Sequence, residues 1–303
     1  MARHQLLIHP RFSRLPPPVI VIGMHRSGTS LVAAMLEALG VYMGSRRALS
    51  GGKDLPAPDE WLLLNGYAEA DDFRQLNDLL LARAGAAWNR IEPFLARRER
   101  PGFARTSIAL LQLATFTRLR SHYLRPLPAT FHGPWGWKDP RTSMTLPYWL
   151  RLFPQARILH VRRDQEAVVD SLHRRAHVWR QAAGAPLPVT QRARWWLLHP
   201  WGTLKRAARR AGLSPAAAPD PCQDRDYCRY LCQLYVQECL RYREHGDRYL
   251  EVGYEDILAA PAWVVGELVE FTGGAPSPSD LLRAAALVQQ RTTRGRVLGG
   301  GTP

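Results

Sequence analysis

Residues 19–31 read Val-Ile-Val-Ile-Gly-Met-His-Arg-Ser-Gly-Thr-Ser-Leu. A β-branched apolar run ends at Gly23, four residues intervene, Gly28 follows, and an apolar helical pattern begins. That is the strand, loop and helix of a phosphate-binding loop. The ATP- and GTP-binding form, G-x-x-x-x-G-K-[ST], carries a Lys that reaches the β- and γ-phosphates. Thr29 stands in the place of that Lys, and a different cation, Arg26, sits inside the loop. Backbone N–H groups at the start of the helix still form an anion site. The pattern points to a phosphate-bearing donor other than ATP.

A second segment, residues 157–171, reads Arg-Ile-Leu-His-Val-Arg-Arg-Asp-Gln-Glu-Ala-Val-Val-Asp-Ser. An apolar strand leads into a doubled Arg, and Asp164 is a good N-cap for a helix. Ser171 follows Arg163 by about two helical turns and can face the same end of a sheet. Together the two segments resemble the sulfotransferases that use 3′-phosphoadenosine 5′-phosphosulfate (PAPS). The resemblance implies that Arg26, Ser27, Gly28, Thr29 and Ser30 hold the 5′-phosphosulfate. It implies that Arg163 and Ser171 hold the 3′-phosphate, the group that sets this donor apart from ATP. It also implies transfer of a sulfuryl group directly, in line, to a hydroxyl, with no metal.

Within that reading Arg26 is the first catalytic candidate, an electrostatic clamp on the bridging oxygen that takes up charge. Thr29 and Ser30 offer hydroxyls to phosphate or sulfate oxygens and double as helix-capping residues. A base must take the acceptor's proton. The stretch Asn65-Gly66-Tyr67-Ala68-Glu69 is similar to one in a bacterial branch of the family whose Glu faces the acceptor, although Ala68 stands where that branch has an aromatic residue. Glu69 is thus the candidate base, with Asp139 and His25 as alternatives. Gly136-Trp137-Lys138-Asp139-Pro140-Arg141 is a further likeness to that branch; it implies either that Lys138 and Arg141 bind donor or acceptor anions with Asp139 orienting Lys138, or a structural salt-bridged turn. Arg174 and Arg175 read as helix surface. Gly253-Tyr254-Glu255-Asp256 reads as packing and capping.

The chain has 303 residues, 46% of them hydrophobic, enough for one large α/β domain. Lys and Arg total 41 against 26 Asp and Glu, a formal charge of +15, and only Lys53, Lys138 and Lys205 are lysines. The dispersed Arg residues and the lack of a nucleic-acid module motif argue against nucleic acid and fit a polyanionic donor or acidic acceptor. No apolar run is long enough for a transmembrane helix, and the N-terminus does not read as a signal peptide, so the expected location is cytoplasmic. Cys228, Cys232 and Cys239 fall on one helical face and, with Cys222, read as buried thiols rather than zinc ligands.

Strands alternate with helices, which implies a mostly parallel central sheet covered by helices on both faces, a three-layer α/β fold. Strands are expected near 19–23, 135–138, 157–162 and 248–252, and helices near 28–40, 70–84, 103–121, 142–153, 164–178, 224–245, 261–272 and 279–290. Residues 1–18 read as a leader, 19–290 as a single sulfotransferase-like domain, 44–60 as a loop, 180–222 as an insertion or lid, and 291–303 as a flexible tail. The Trp residues at 195, 196 and 201 suggest an acceptor with a sugar ring or other small alcohol. Two other readings remain: a P-loop kinase or hydrolase, and a family member that binds nucleotide without turnover. Against the kinase stand Thr29 and the absence of an apolar strand ending in a Mg²⁺-binding Asp.

Overall fold

The computed structural model describes residues 7–44, 69–184 and 220–299, with backbone alone at 178–184 and 290–299. Four strands form one parallel sheet in the order β2-β1-β3-β4. They are β1 (Val19–Ile22), β2 (Gly136–Lys138), β3 (Arg157–Arg162) and β4 (Tyr249–Gly253). Val19 lies opposite Gly136 on one side and Arg157 on the other, and Ile158 lies opposite Tyr249. All four residues of β1 are buried, which suits a central strand with helices on both faces.

The strand period of two divides the core. Ile20 and Ile22 join one apolar cluster with Ile158, and Val19 and Val21 join the other with Leu159 and Val161. The first cluster takes α1 (Pro10–Ser13), α3 (Asp71–Arg83), α4 (Glu92–Leu95), α5 (Pro101–Phe116), α6 (Thr142–Leu152), α7 (Gln165–Gly184) and α8 (Arg225–Leu240). It is rich in aromatic rings, with Phe73 stacked on Trp137 at 4.1 Å. The second cluster takes α2 (Thr29–Ala38), α9 (Tyr254–Ala259), α10 (Pro261–Thr272) and α11 (Pro278–Gly299). The result is helix, sheet, helix, the three-layer architecture expected from the alternation.

Several boundaries moved. The helix expected over 103–121 stops at Phe116 and gives way to a π-helical turn at Leu119–Tyr123. The one expected over 224–245 ends at Leu240 and continues as 3₁₀ turns through Arg248. Helix α11 runs on to Gly299, into the first residues of the Gly-rich tail at 291–303. Of the expected loop at 44–60 and the insertion at 180–222, residues 45–60 and 185–219 lie outside the described residues, as do residues 1–6 of the leader. The four cysteines are buried free thiols. No helix among the described residues is long and apolar enough to cross a membrane.

In a parallel sheet the C-terminal strand ends gather on one edge, where ligands bind. Here that edge brings together the loop after β1, Asp139 and Arg141 after β2, Arg163 after β3 and Tyr254 after β4.

Candidate active site

The loop between β1 and α2 turns because two glycines and one arginine adopt left-handed backbone. Gly23 has φ +141° and lies so close to β3 that a Cβ would meet the Val161 carbonyl oxygen at 2.5 Å. Ser143 of α6 braces it, accepting from the Gly23 N–H at 3.1 Å. Arg26, at φ +73°, is the single non-glycine residue with positive φ among the described residues. Gly28, at φ +101°, caps α2 with no side-chain hydrogen bond. The first N–H groups of α2 therefore have no side-chain cap and open toward the loop, where the helix dipole favours an anion. Thr29 and Ser30 are both buried at this first turn.

The second element closes on the first. Asp164 caps α7, accepting from the Ala167 N–H at 2.8 Å, and its own N–H donates to Glu255 at 3.1 Å. Ser171 then faces the loop: Arg26 Nε donates to Ser171 Oγ at 2.9 Å. Arg163 donates to the Arg26 carbonyl oxygen at 3.1 Å, with its guanidinium 4.6 Å above the Tyr254 ring. The same ring blocks Gly28, whose added Cβ would lie 3.1 Å from Cε2 and closer still to Cδ2. Arg26 and Gly28 of the first segment thus meet Arg163 and Ser171 of the second, far along the chain from them.

On the β2 side a charged network lies under the site. Lys138 Nζ is 3.2 Å from Glu69 Oε1, and Arg141 is 4.0 Å from Glu69 Oε2. Asp139 is buried and accepts from Arg141 Nη1 at 2.9 Å, from the Arg141 N–H at 3.1 Å and from Asn77 Nδ2 at 2.8 Å. It therefore orients Arg141, while Glu69 holds Lys138, a different partnering from the one the sequence suggested. With its lone pairs so occupied, Asp139 is poorly placed to act as a base. Arg141 Nε faces Asp78 at 2.6 Å without hydrogen-bond alignment. Burial pushes the Asp78 carboxyl up, against the pull of Arg141. Burial opposes the Arg141 charge too, yet Asp139, Glu69 and Asp78 together raise its pKa.

Asn77 is the hub of this network; it ends the longer stretch around Glu69 that resembles the bacterial branch, but nothing in the sequence assigns it a role. Besides Asp139, its Nδ2 donates to Thr142 at 2.9 Å, and its Oδ1 accepts from Thr145 at 2.7 Å and from Trp149 Nε1 at 2.9 Å. All four hydrogen-bonding positions of a buried amide are filled.

His25 is buried, at 6% exposure, against Trp88, ring centroids 4.5 Å apart. Burial, and then Arg141, Arg175, Lys138 and Arg26, hold its pKa well below the usual histidine value, so it is neutral. Arg175 departs from the surface position expected of it, lying over Trp88 with its guanidinium 5.1 Å from the ring centroid. Among the described residues, no group of three or more His, Cys, Asp or Glu is arranged to hold a metal ion.

Four buried polar atoms at this edge have no hydrogen-bond partner: Arg141 Nε, which faces Asp78, and Ser27 Oγ, Arg163 Nε and His25 Nε2 around the loop. Such atoms cost about 1–3 kcal/mol each when left unmet. The clustering of the last three around one loop marks where a polar ligand fits.

A sequence model of the sulfotransferase family matches residues 17–201, more than half of the chain and both segments just described. The chain belongs to the sulfotransferase family, and so to the transferase enzymes. No curated protein matches it. Among solved structures it is similar to sulfotransferase STF9 from Mycobacterium avium, at 17% identity over 94% of this chain and 70% of that one, TM-score 0.46. It is also similar to the sulfotransferase domain of the Synechococcus PCC 7002 olefin synthase, at 18% identity over 89% and 77%, TM-score 0.43. A third likeness is to sulfotransferase STF1 from Mycobacterium tuberculosis H37Rv, at 13% identity over 94% and 78%, TM-score 0.44.

Proposed function

We propose that this enzyme transfers a sulfuryl group from PAPS to the hydroxyl of a carbohydrate or other small alcohol. The observation that carries the reading is the meeting of Arg26, Ser171 and Arg163 around a loop whose Ser27 Oγ and Arg163 Nε are buried and unpartnered. Those groups suit a donor with anionic groups at two places. In this reading the loop N–H groups, with Ser27, Gly28, Thr29 and Ser30, bind the 5′-phosphosulfate. Arg163 and Ser171 bind the 3′-phosphate, and Tyr254 supports Arg163 from below.

PAPS supplies the sulfuryl group: the acceptor oxygen bonds to sulfur as the sulfur–oxygen bond to the 5′-phosphate breaks and the 3′,5′-adenosine bisphosphate (PAP) leaves. Arg26 puts positive charge where that leaving oxygen becomes negative. Glu69 takes the proton of the acceptor hydroxyl, held toward it by Lys138. Arg141 and Asp139 fix the floor beneath both. Aligning donor and acceptor within this rigid frame supplies part of the acceleration by itself.

Calorimetric titration with PAP, ATP and AMP, with and without Mg²⁺, tests the donor. The reading expects PAP to bind without metal and ATP not to bind, with Arg163→Ala weakening PAP by about tenfold or more, as loss of a charge-assisted contact implies. Mg²⁺-dependent ATP binding with no response to PAP would sink it.

A further inference from the structure

Three basic side chains close to His25 are already engaged. Lys138 is paired with Glu69, Arg141 with Asp139 and Asp78, and Arg26 with Ser171. Arg175 also acts on His25 electrostatically, yet among the described residues no carboxylate lies within ion-pairing distance of it. Its fixed contact is the Trp88 ring, 5.1 Å away. Trp88 is itself held, its carbonyl accepting from Tyr235 Oη at 2.9 Å and its ring tilted against His25. An arginine braced on an indole loses side-chain freedom before any ligand arrives, as a preorganised oxyanion reader should.

Its position separates it from the donor groups. Arg163 leans on Tyr254, which belongs to the apolar cluster under α2 and α9. Arg175 leans on Trp88, which packs against the opposite cluster, on the side of His25 and the Lys138–Glu69 pair. That is the side on which the candidate base stands. A second observation also points to a ligand there: His25 Nε2 is buried with no hydrogen-bond partner.

We propose that Arg175, braced on Trp88 beside His25, reads an oxyanion on the acceptor, and that the acceptors this enzyme prefers carry a carboxylate, or a phosphate or sulfate ester, near the hydroxyl to be sulfated. His25, as a neutral imidazole, offers Nε2 to a hydroxyl of the same acceptor. Arg175 is a specificity-determining residue and takes no part in the bond changes. The inference rests on the sulfotransferase reading above.

The test uses the full chain with labelled PAPS and matched acceptors that share their hydroxyls. One set is methyl 6-deoxyglucoside, methyl glucuronoside and methyl glucoside 6-phosphate, which all carry the 2-, 3- and 4-hydroxyls; the other is 4-hydroxyphenylacetamide and 4-hydroxyphenylacetate. The expected result is a kcat/KM at least about tenfold higher for an anionic member than for its neutral partner, the scale of one charge-assisted contact. Arg175→Gln should remove that advantage through KM, Arg175→Lys should keep part of it, and PAP binding should stay within about twofold in both, since Arg175 makes no donor contact. The uronate and phosphate arms tell a carboxylate reader from a phosphate reader. A neutral acceptor that does as well or better, no turnover of any anionic member, or a parallel loss of PAP binding in Arg175→Gln would overturn the inference. If wild-type protein fails to bind PAP, the donor reading falls; if it binds PAP and shows no anionic preference, only the role of Arg175 falls. Should Arg175→Gln not fold, the comparison rests on Arg175→Lys.

Discussion

Replacing Glu69 by Gln separates the pairing it makes with Lys138 from the base role proposed for it. Lys138 has a side chain only 1% exposed, its Nζ 3.2 Å from a Glu69 carboxylate that is 12% exposed. Among the described residues no other carboxylate comes within ion-pairing distance of that nitrogen. Breaking a buried pair from one side leaves a charge uncompensated and costs about 3–5 kcal/mol. Gln keeps an oxygen that Lys138 can donate to, and Glu69 is not fully buried, so the expected loss is about 2–3 kcal/mol. Adding Lys138→Met removes the stranded charge and should return the double variant to within about 1 kcal/mol of wild type. Turnover behaves differently. Loss of a general base costs about 10²- to 10⁴-fold, and restoring stability does not restore the base. The assay pairs urea denaturation, with slope and midpoint both fitted, with single-turnover transfer from labelled PAPS. If Glu69→Gln keeps its stability, or Lys138→Met lowers it further, Glu69 is not what balances the lysine. If the double variant recovers its rate, Glu69 acts on turnover only through Lys138, and the proton goes elsewhere.

Other perturbations reach other parts of the site. Gly28→Ala meets both a positive φ and the Tyr254 ring, whereas Gly85→Ala meets a positive φ with nothing within 4 Å. Thermal unfolding should show a loss of about 1–2 kcal/mol for Gly85→Ala from backbone strain alone, and more for Gly28→Ala. Only Gly28→Ala should also weaken PAP binding, because moving Tyr254 moves Arg163. Asn77→Ala strands four buried partners and should cost about 3–5 kcal/mol in urea denaturation; a loss under about 1 kcal/mol would mean that the network re-forms without it. Burial holds His160 neutral and lowers its pKa to about 4, beside Tyr249, Glu251 and Arg162. The unfolded chain takes up that proton first, so this residue's effect is absent above about pH 6.5 and stability falls as the pH drops toward 4, by about 2 kcal/mol at pH 5. His160→Gln should flatten that part of the stability–pH curve, and an unchanged slope would place the acid sensitivity in other groups.

The parts of the site legible in the sequence are those written over short distances. The β1 run, the two loop glycines and the Asp164 cap are local signals, and the eight-residue step from Arg163 to Ser171 sets a helical face. These suffice to bring Ser171 to Arg26. What stays hidden depends on packing between distant elements. Asn77 reads as one polar residue in an amphipathic helix, and only the approach of α3 to α6 makes it the anchor of Asp139. Tyr254 reads as part of a packing and capping stretch after the last strand, yet its ring fills the space that a side chain at position 28 would need. Arg175 reads as surface because periodicity cannot show that Trp88, in a turn before α4, will lie beneath it. Glu69 and Lys138 are both recognisable as charged residues near strand ends, but their pairing is a tertiary fact.

The division between satisfied and unsatisfied polar groups carries the functional argument further than the motifs do. A protein of this kind can bury many polar side chains if each finds a partner, and the β2 side does so: Asn77, Asp139, Thr142, Thr145 and Arg141 form a closed set in which each member holds another. That set is stiff, and it lies under the site. Apart from Arg141 Nε, which faces the Asp78 carboxylate at 2.6 Å, the atoms left without hydrogen-bond partners lie within or against the phosphate loop, on Ser27, Arg163 and His25. Had folding alone shaped this edge, the same apolar and hydrogen-bonded solutions available a few ångströms away would serve there too. A region that leaves three such atoms unmet, above a floor whose one unaligned nitrogen still faces a carboxylate, is one held ready for a ligand. The spacing of the three orphans follows from the sheet: Ser27 lies on the loop itself, Arg163 leans toward the face under α2, and His25 turns toward the opposite face. A donor along the loop can meet the first two, and an acceptor entering from the side of Glu69 can meet the third.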